Sequence, residues 1–156
     1  MRTTPLNDDW SVSPKRGLFD GIGGEPVPDV AVTLPHDAML AFDRSADAPS
    51  GSHGAYFPGG AVEYSRTVDL GPEADRVHTL VFDGVYRDAM VFVNDHFAAQ
   101  RPSGYSRFAV RLDPFLRHDG GADVIRVEAR AHRDSRWYSG LGIHRNVALA
   151  TGPRRG

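Results

Sequence analysis

Cysteine is absent from this chain of 156 residues. Its absence excludes a disulfide scaffold, thiolate metal ligands and a cysteine nucleophile. Lysine is nearly absent too, since Lys15 is the only one, and the formal net charge is only −2. So small a charge provides no electrostatic attraction to nucleic acid or to an anionic membrane. The sequence therefore predicts neither a nucleic-acid partner nor a membrane partner.

Long apolar segments are missing as well. No run approaches the roughly 18 residues that a membrane span needs. The opening MRTTPLNDDW lacks the charged and then apolar pattern of a secretory signal, so we expect a cytoplasmic protein. The 7 histidines are dispersed without the spacing of metal ligands. We therefore expect no zinc site and no cofactor.

The chain does contain short segments of strand character separated by turns. Apolar and polar residues alternate in residues 125–131, large apolar residues occupy every second position of 108–112, and the apolar run of residues 77–85 is almost continuous. Asn94 and Asp95, which follow the apolar residues 90–93, tolerate the positive φ of a type I′ hairpin turn. Seven or eight such strands, with no sustained helical period, predict an all-β antiparallel β-sandwich. We expect a single domain over residues 1–156.

Two segments are predicted to be loops. Residues 15–30 and 43–60 are rich in Gly, Pro, Asp and Ser, which favour turns over regular strands. Gly140 and Gly142 are predicted to serve a turn that needs positive φ or a close approach of the backbone.

Six local motifs follow one another along the chain. They are NDDW at 7–10, LPHDA at 34–38, YFPGGAVEYSRTVDL at 56–70, FDGVYRDAMVFVND at 82–95, GYSRFAVRLDPFLRHDGGADVIRVEA at 104–129 and SRWYSGLGIHRNV at 135–147. In this order they resemble the N-terminal sugar-binding domain of glycoside hydrolase family 2, and in particular that of β-galactosidases. The resemblance implies a jelly roll of the galactose-binding type, whose loops help to shape the sugar pocket of a catalytic barrel.

The catalytic groups of that family are expected to lie elsewhere. A retaining glycosidase needs two carboxyl groups about 5–5.5 Å apart, and the resemblance implies two glutamates on a following (β/α)₈ barrel. Such a barrel takes about 250 residues, whereas this chain ends at Gly156. We therefore expect no hydrolysis by this chain alone. The implied partners are a β-galactoside or related carbohydrate and the missing C-terminal domains of the same polypeptide.

The motifs also supply candidate substrate-binding residues. Aromatic rings stack on sugar faces, and planar polar groups pair with sugar hydroxyls. Suitable side chains are those of His36, Asp37, Tyr56, Asp134, Arg136, Trp137 and Tyr138. Each has a structural alternative: the rings could cap the core or contact a neighbouring domain, and the polar groups could pair or cap turns within this domain.

The sequence departs from the family pattern at several places, and in one of them residues 63–66, EYSR, replace Trp-Tyr-Arg-Lys. Ala38 replaces the usual Trp, Asp95 replaces the usual hairpin Gly, and His144 replaces the usual Tyr. His144 is therefore a candidate for altered specificity. Two other functional hypotheses stay open at this point: a free-standing carbohydrate-binding module, and a structural domain whose aromatic residues bind a protein partner.

Overall fold

The computed structural model describes residues 1–14, 29–38, 60–70, 75–104, 106–117, 119–131 and 141–154. The strands in these ranges are β1 (Arg2–Pro5), β2 (Trp10–Pro14), β3 (Val30–Val32), β4 (Gly60–Val68), β5 (Arg76–Phe82), β6 (Ala89–Val93), β7 (His96–Arg101), β8 (Phe108–Arg111), β9 (Asp123–Ala131) and β10 (Val147–Pro153). A 3₁₀ helix at Asp113–Phe115 follows β8. Within the described ranges no helix is long and apolar enough to cross a bilayer.

The strands form two antiparallel sheets. One has four strands in the order β1-β10-β5-β8, and the other has six in the order β3-β2-β4-β9-β6-β7. Neighbours in a sheet are mostly distant in sequence, so the chain passes repeatedly from one sheet to the other. The predicted antiparallel β-sandwich is confirmed.

The core lies between the sheets and follows the alternation of apolar residues. In β9, Ile125, Val127 and Ala129 are fully buried, as their spacing of two predicts. Phe82 of β5 is also fully buried and stacks on Phe108 of β8, with 4.9 Å between ring centroids. Each buried Val, Ile or Phe side chain contributes about 1.5–3 kcal/mol through removal of apolar surface from water.

The predicted hairpin turn is present between β6 and β7. Asn94 and Asp95 have φ of 50° and 65°, so Asp95 adopts the backbone conformation for which glycine is usual. The Asn94 side chain also donates to Asp123 Oδ1 at 2.7 Å and accepts from the Val124 amide at 2.9 Å. Asp123 is buried and accepts from the Arg117 amide at 2.9 Å. The turn is therefore tied to the start of β9.

The N-terminal strands were not predicted. All four residues of β1 are exposed, so this strand shows no apolar alternation and depends on its pairing with β10. Val30 begins β3 and Gly60 begins β4, at the ends of the two predicted loops. The prediction was wrong for these two residues. Residues 15–28 and 43–59 of those loops lie outside the described ranges.

Candidate functional site

The structure describes two of the predicted substrate-binding residues. His36 and Asp37 lie in the segment after β3, and both are partly buried. Tyr56, Asp134, Arg136, Trp137 and Tyr138 lie outside the described residues. The surroundings of His36 and Asp37 therefore define the candidate site.

The segment carrying His36 and Asp37 pairs with the end of the SRWYSGLGIHRNV motif. The His36 amide donates to the Ile143 carbonyl at 2.9 Å, and the Ala38 amide donates to the Leu141 carbonyl at 2.7 Å. The Asp37 carboxylate accepts from the Leu141 amide at 3.0 Å. Two motifs about a hundred residues apart in sequence are thus joined side by side.

Tyr64 lies beneath this pairing and binds His36. Its side chain is 0% exposed, and its hydroxyl oxygen is 2.8 Å from His36 Nδ1. The two rings meet edge to face, with 5.7 Å between centroids. Burial raises the pKa of the Tyr64 phenol well above its usual value, the Ile143 backbone opposes this rise, and the Asp37 charge adds to it. The hydroxyl consequently keeps its proton at neutral pH.

Gly142 is required at this position for two reasons. Its φ is +128°, which residues with a side chain rarely adopt. A Cβ there would overlap the Tyr64 hydroxyl oxygen and would lie 3.0 Å from Tyr64 Cζ. The prediction of positive φ or close backbone approach is confirmed for Gly142, whereas Gly140 lies outside the described residues. We refer to His36, Asp37, Tyr64 and Gly142 as the corner cluster.

Two consecutive residues, Tyr86 and Arg87, pair with the residues that flank 132–140 in sequence, a stretch that contains four of the five other candidates. Tyr86 and Gly142 exchange two backbone hydrogen bonds of 2.9 Å. The next residue, Arg87, exchanges two with Arg130, of 2.9 and 3.3 Å. Arg130 precedes residues 132–140 in sequence and Gly142 follows them, so Tyr86 and Arg87 bring these two flanking residues close together. The Tyr86–Arg87 peptide bond is cis, as is Leu34–Pro35.

His144, which replaces the family's usual Tyr, is bound inside the domain. Its Nε2 lies 2.8 Å from the Gly104 carbonyl oxygen. Gly104 itself lies against Tyr86, because a Cβ on Gly104 would overlap Tyr86 Cδ2. The imidazole of His144 therefore supports the segment containing Tyr86.

The corner cluster offers hydrogen-bonding groups and one carboxylate. Across the part of the chain that the structure describes, no three His, Asp or Glu side chains come together as metal ligands. Sequence reasoning did not single out Tyr64 and missed its link to His36. The available signal was a hydroxyl at a core position, since a buried phenol normally finds a hydrogen-bond partner.

The chain was compared with known proteins. No protein-family model matches it. It is 38% identical over 152 residues to the β-galactosidase BoGH2A of Bacteroides ovatus, a match covering 95% of this chain and 18% of that protein.

Solved structures reproduce the fold. A glycosyl hydrolase family 2 member from Bacteroides cellulosilyticus superposes with a TM-score of 0.84 at 24% identity, covering 97% of this chain and 20% of that one. β-Glucuronidase 2 of Bacteroides uniformis gives a TM-score of 0.72 at 22% identity, and the match covers 96% of this chain and 18% of that one. The chain thus spans about a fifth of the length of the proteins it matches.

Proposed function

We propose that this chain is the non-catalytic, N-terminal sugar-binding domain of a family 2 β-galactosidase, and its similarity over nearly its whole length to part of such enzymes supports this. In this proposal it packs on the catalytic barrel and lends residues to the rim of the sugar pocket. The 38% identity to a β-galactosidase over nearly the whole chain is the observation that carries it.

The corner cluster and the Tyr86–Arg87 contacts support a role in shaping a pocket. They bring together the residues that flank 132–140 in sequence, and that stretch carries Asp134, Arg136, Trp137 and Tyr138. These side chains combine stacking surfaces with donors and acceptors for hydroxyl groups, as a sugar subsite requires. Fixed flanking residues reduce the conformational entropy that is lost when such groups become ordered on binding.

The proposal is tested by measuring hydrolysis by the longer protein of which this chain is proposed to be a domain. The reading frame that includes this chain should continue past residue 156 into a barrel, and its product should hydrolyse p-nitrophenyl β-galactoside. In that protein Trp137→Ala should lower kcat/KM at least tenfold, since stacking and ordering of the sugar are lost. Phe97→Ala is the matched control: Phe97 is 53% exposed on β7 and is not part of the corner cluster. Equal effects of the two substitutions would contradict the proposal.

Sugar binding by the chain alone distinguishes this role from that of a free-standing carbohydrate-binding module. Titration with galactose and with lactose, followed by tryptophan fluorescence, should give weak binding or none, because the barrel side of the pocket is missing. A sub-millimolar Kd would instead favour the free-standing module.

A further inference from the structure

The contact between Tyr64 and His36 determines which nitrogen of the imidazole carries the proton. Among the described hydrogen bonds, the fully buried Tyr64 hydroxyl has a single partner, His36 Nδ1. The phenol keeps its own proton and needs an acceptor, and His36 Nδ1 lies 2.8 Å away. Nδ1 must therefore be unprotonated, and a neutral imidazole then carries its proton on Nε2.

The opposite ring nitrogen is left to act as a donor. None of the described hydrogen bonds of His36 uses Nε2, and the residue is only partly buried. Burial lowers the pKa of His36, and the Asp37 carboxylate only partly opposes this effect. Tyr64 on β4 and Asp37 on the same segment are the titratable groups beside the ring. At neutral pH His36 thus presents an uncharged N–H in an orientation fixed by a fully buried phenol.

We propose that His36 is a specificity-determining residue that donates from Nε2 to a hydroxyl oxygen of an uncharged sugar, and that Tyr64 is the positioning residue that fixes this tautomer. The proposal rests on the proposed function. An uncharged donor beside the Asp37 carboxylate suits a neutral hydroxyl group. A sugar carboxylate would be repelled by Asp37 and would gain no charge-assisted hydrogen bond from neutral imidazole. The substrate class is therefore β-hexosides rather than β-hexuronides.

The tautomer is tested on the chain itself, without any substrate. Long-range ¹H–¹⁵N NMR correlations distinguish protonation at Nε2 from protonation at Nδ1. For His36 we expect the Nε2-protonated pattern at pH 7.5 and a titration midpoint below 6.5. In Tyr64→Phe the preference for one tautomer should weaken and the midpoint should rise. A wild-type His36 that is protonated at Nδ1, or that populates both tautomers equally, would overturn the assignment even if Tyr64→Phe does not fold.

The proposed contact between His36 Nε2 and a sugar hydroxyl is tested in the longer protein that contains this chain. The substrates compared are p-nitrophenyl β-galactoside and p-nitrophenyl β-glucuronide. His36→Ala should raise KM for the galactoside about tenfold, a loss of about 1.4 kcal/mol, and should reduce the preference for it over the glucuronide. His36→Gln retains an uncharged N–H donor and should recover most of this loss. His96→Ala, at an exposed position of β7, should change neither value.

The outcomes separate the two proposals. If the wild-type protein hydrolyses the galactoside and His36→Ala leaves its KM and its preference unchanged, the contact is refuted while the proposed function stands. If the wild-type protein hydrolyses neither substrate, the proposed function fails and the contact fails with it. The tautomer assignment depends on the NMR result alone.

Discussion

Substituting Gly142 with alanine should destabilise the sandwich in two ways, by straining the backbone and by crowding the Tyr64 hydroxyl. An L-residue at φ of +128° costs about 1–3 kcal/mol of backbone strain. The added methyl group would overlap the Tyr64 hydroxyl, and overpacking of this kind costs about a further 1–3 kcal/mol. The Tyr64 ring cannot move away easily, because it is fully buried and its hydroxyl is bound to His36. The expected loss is about 2–6 kcal/mol.

A double-mutant cycle isolates the contribution of the hydroxyl. Tyr64→Phe alone should cost about 1–3 kcal/mol, because His36 Nδ1 loses its hydrogen-bond partner. It also removes the nearest obstacle to an alanine methyl, although Cζ remains 3.0 Å away. Gly142→Ala combined with Tyr64→Phe should therefore cost about 1–2 kcal/mol less than the sum of the single changes.

Urea unfolding followed by tryptophan fluorescence measures these differences, since Trp10 is buried in the core. With an m-value of about 2 kcal/mol/M, a loss of 4 kcal/mol lowers the midpoint by about 2 M. Gly120→Ala is the control: Gly120 has φ of +78°, and a Cβ there would meet nothing within 4 Å. It should cost about 1–2 kcal/mol and show no coupling to Tyr64→Phe. Additivity of the Gly142 and Tyr64 changes within about 0.5 kcal/mol would refute the reasoning.

Three further predictions concern other parts of the described structure. Since the pKa of His36 is lowered below 6.5 on folding, the unfolded chain binds more protons as pH falls through 6.5, and the unfolding free energy should decrease there. Asp123→Ala should cost about 2–4 kcal/mol in urea unfolding, because the buried carboxylate holds the Asn94 side chain. Gly104→Ala should cost about 1–3 kcal/mol and alter near-ultraviolet circular dichroism, because its methyl would displace the Tyr86 ring.

Each of these has a result that would contradict it. His36→Gln should flatten the pH dependence near 6.5, so an unchanged slope would assign that dependence to another group. A loss below 0.5 kcal/mol for Asp123→Ala would show that the hairpin turn does not need its carboxylate. An unaltered aromatic spectrum for Gly104→Ala would mean that the Tyr86 ring does not pack against that glycine.

The alternation of side chains was enough to predict the architecture. Ile125, Val127 and Ala129 recur every second residue, so β9 buries one face wherever its neighbours lie. The hairpin was predictable for a similarly local reason, because Asn94 and Asp95 accept positive φ. Such signals depend only on residues close together in sequence. They also explain why β1, with no buried residue, was missed.

The sequence by itself determined the strand segments from β4 onward, the hairpin turn and, through its ordered motifs, the resemblance to family 2. Only the tertiary structure decided which residues meet at the corner. Tyr64 reaches a histidine 28 positions away, and Asp37 binds an amide 104 positions away. Periodicity predicts which face of a strand a side chain occupies. The residue that this side chain contacts across the fold depends on the order of strands in each sheet. The need for glycine at position 142 likewise arises only once the Tyr64 hydroxyl lies beside it.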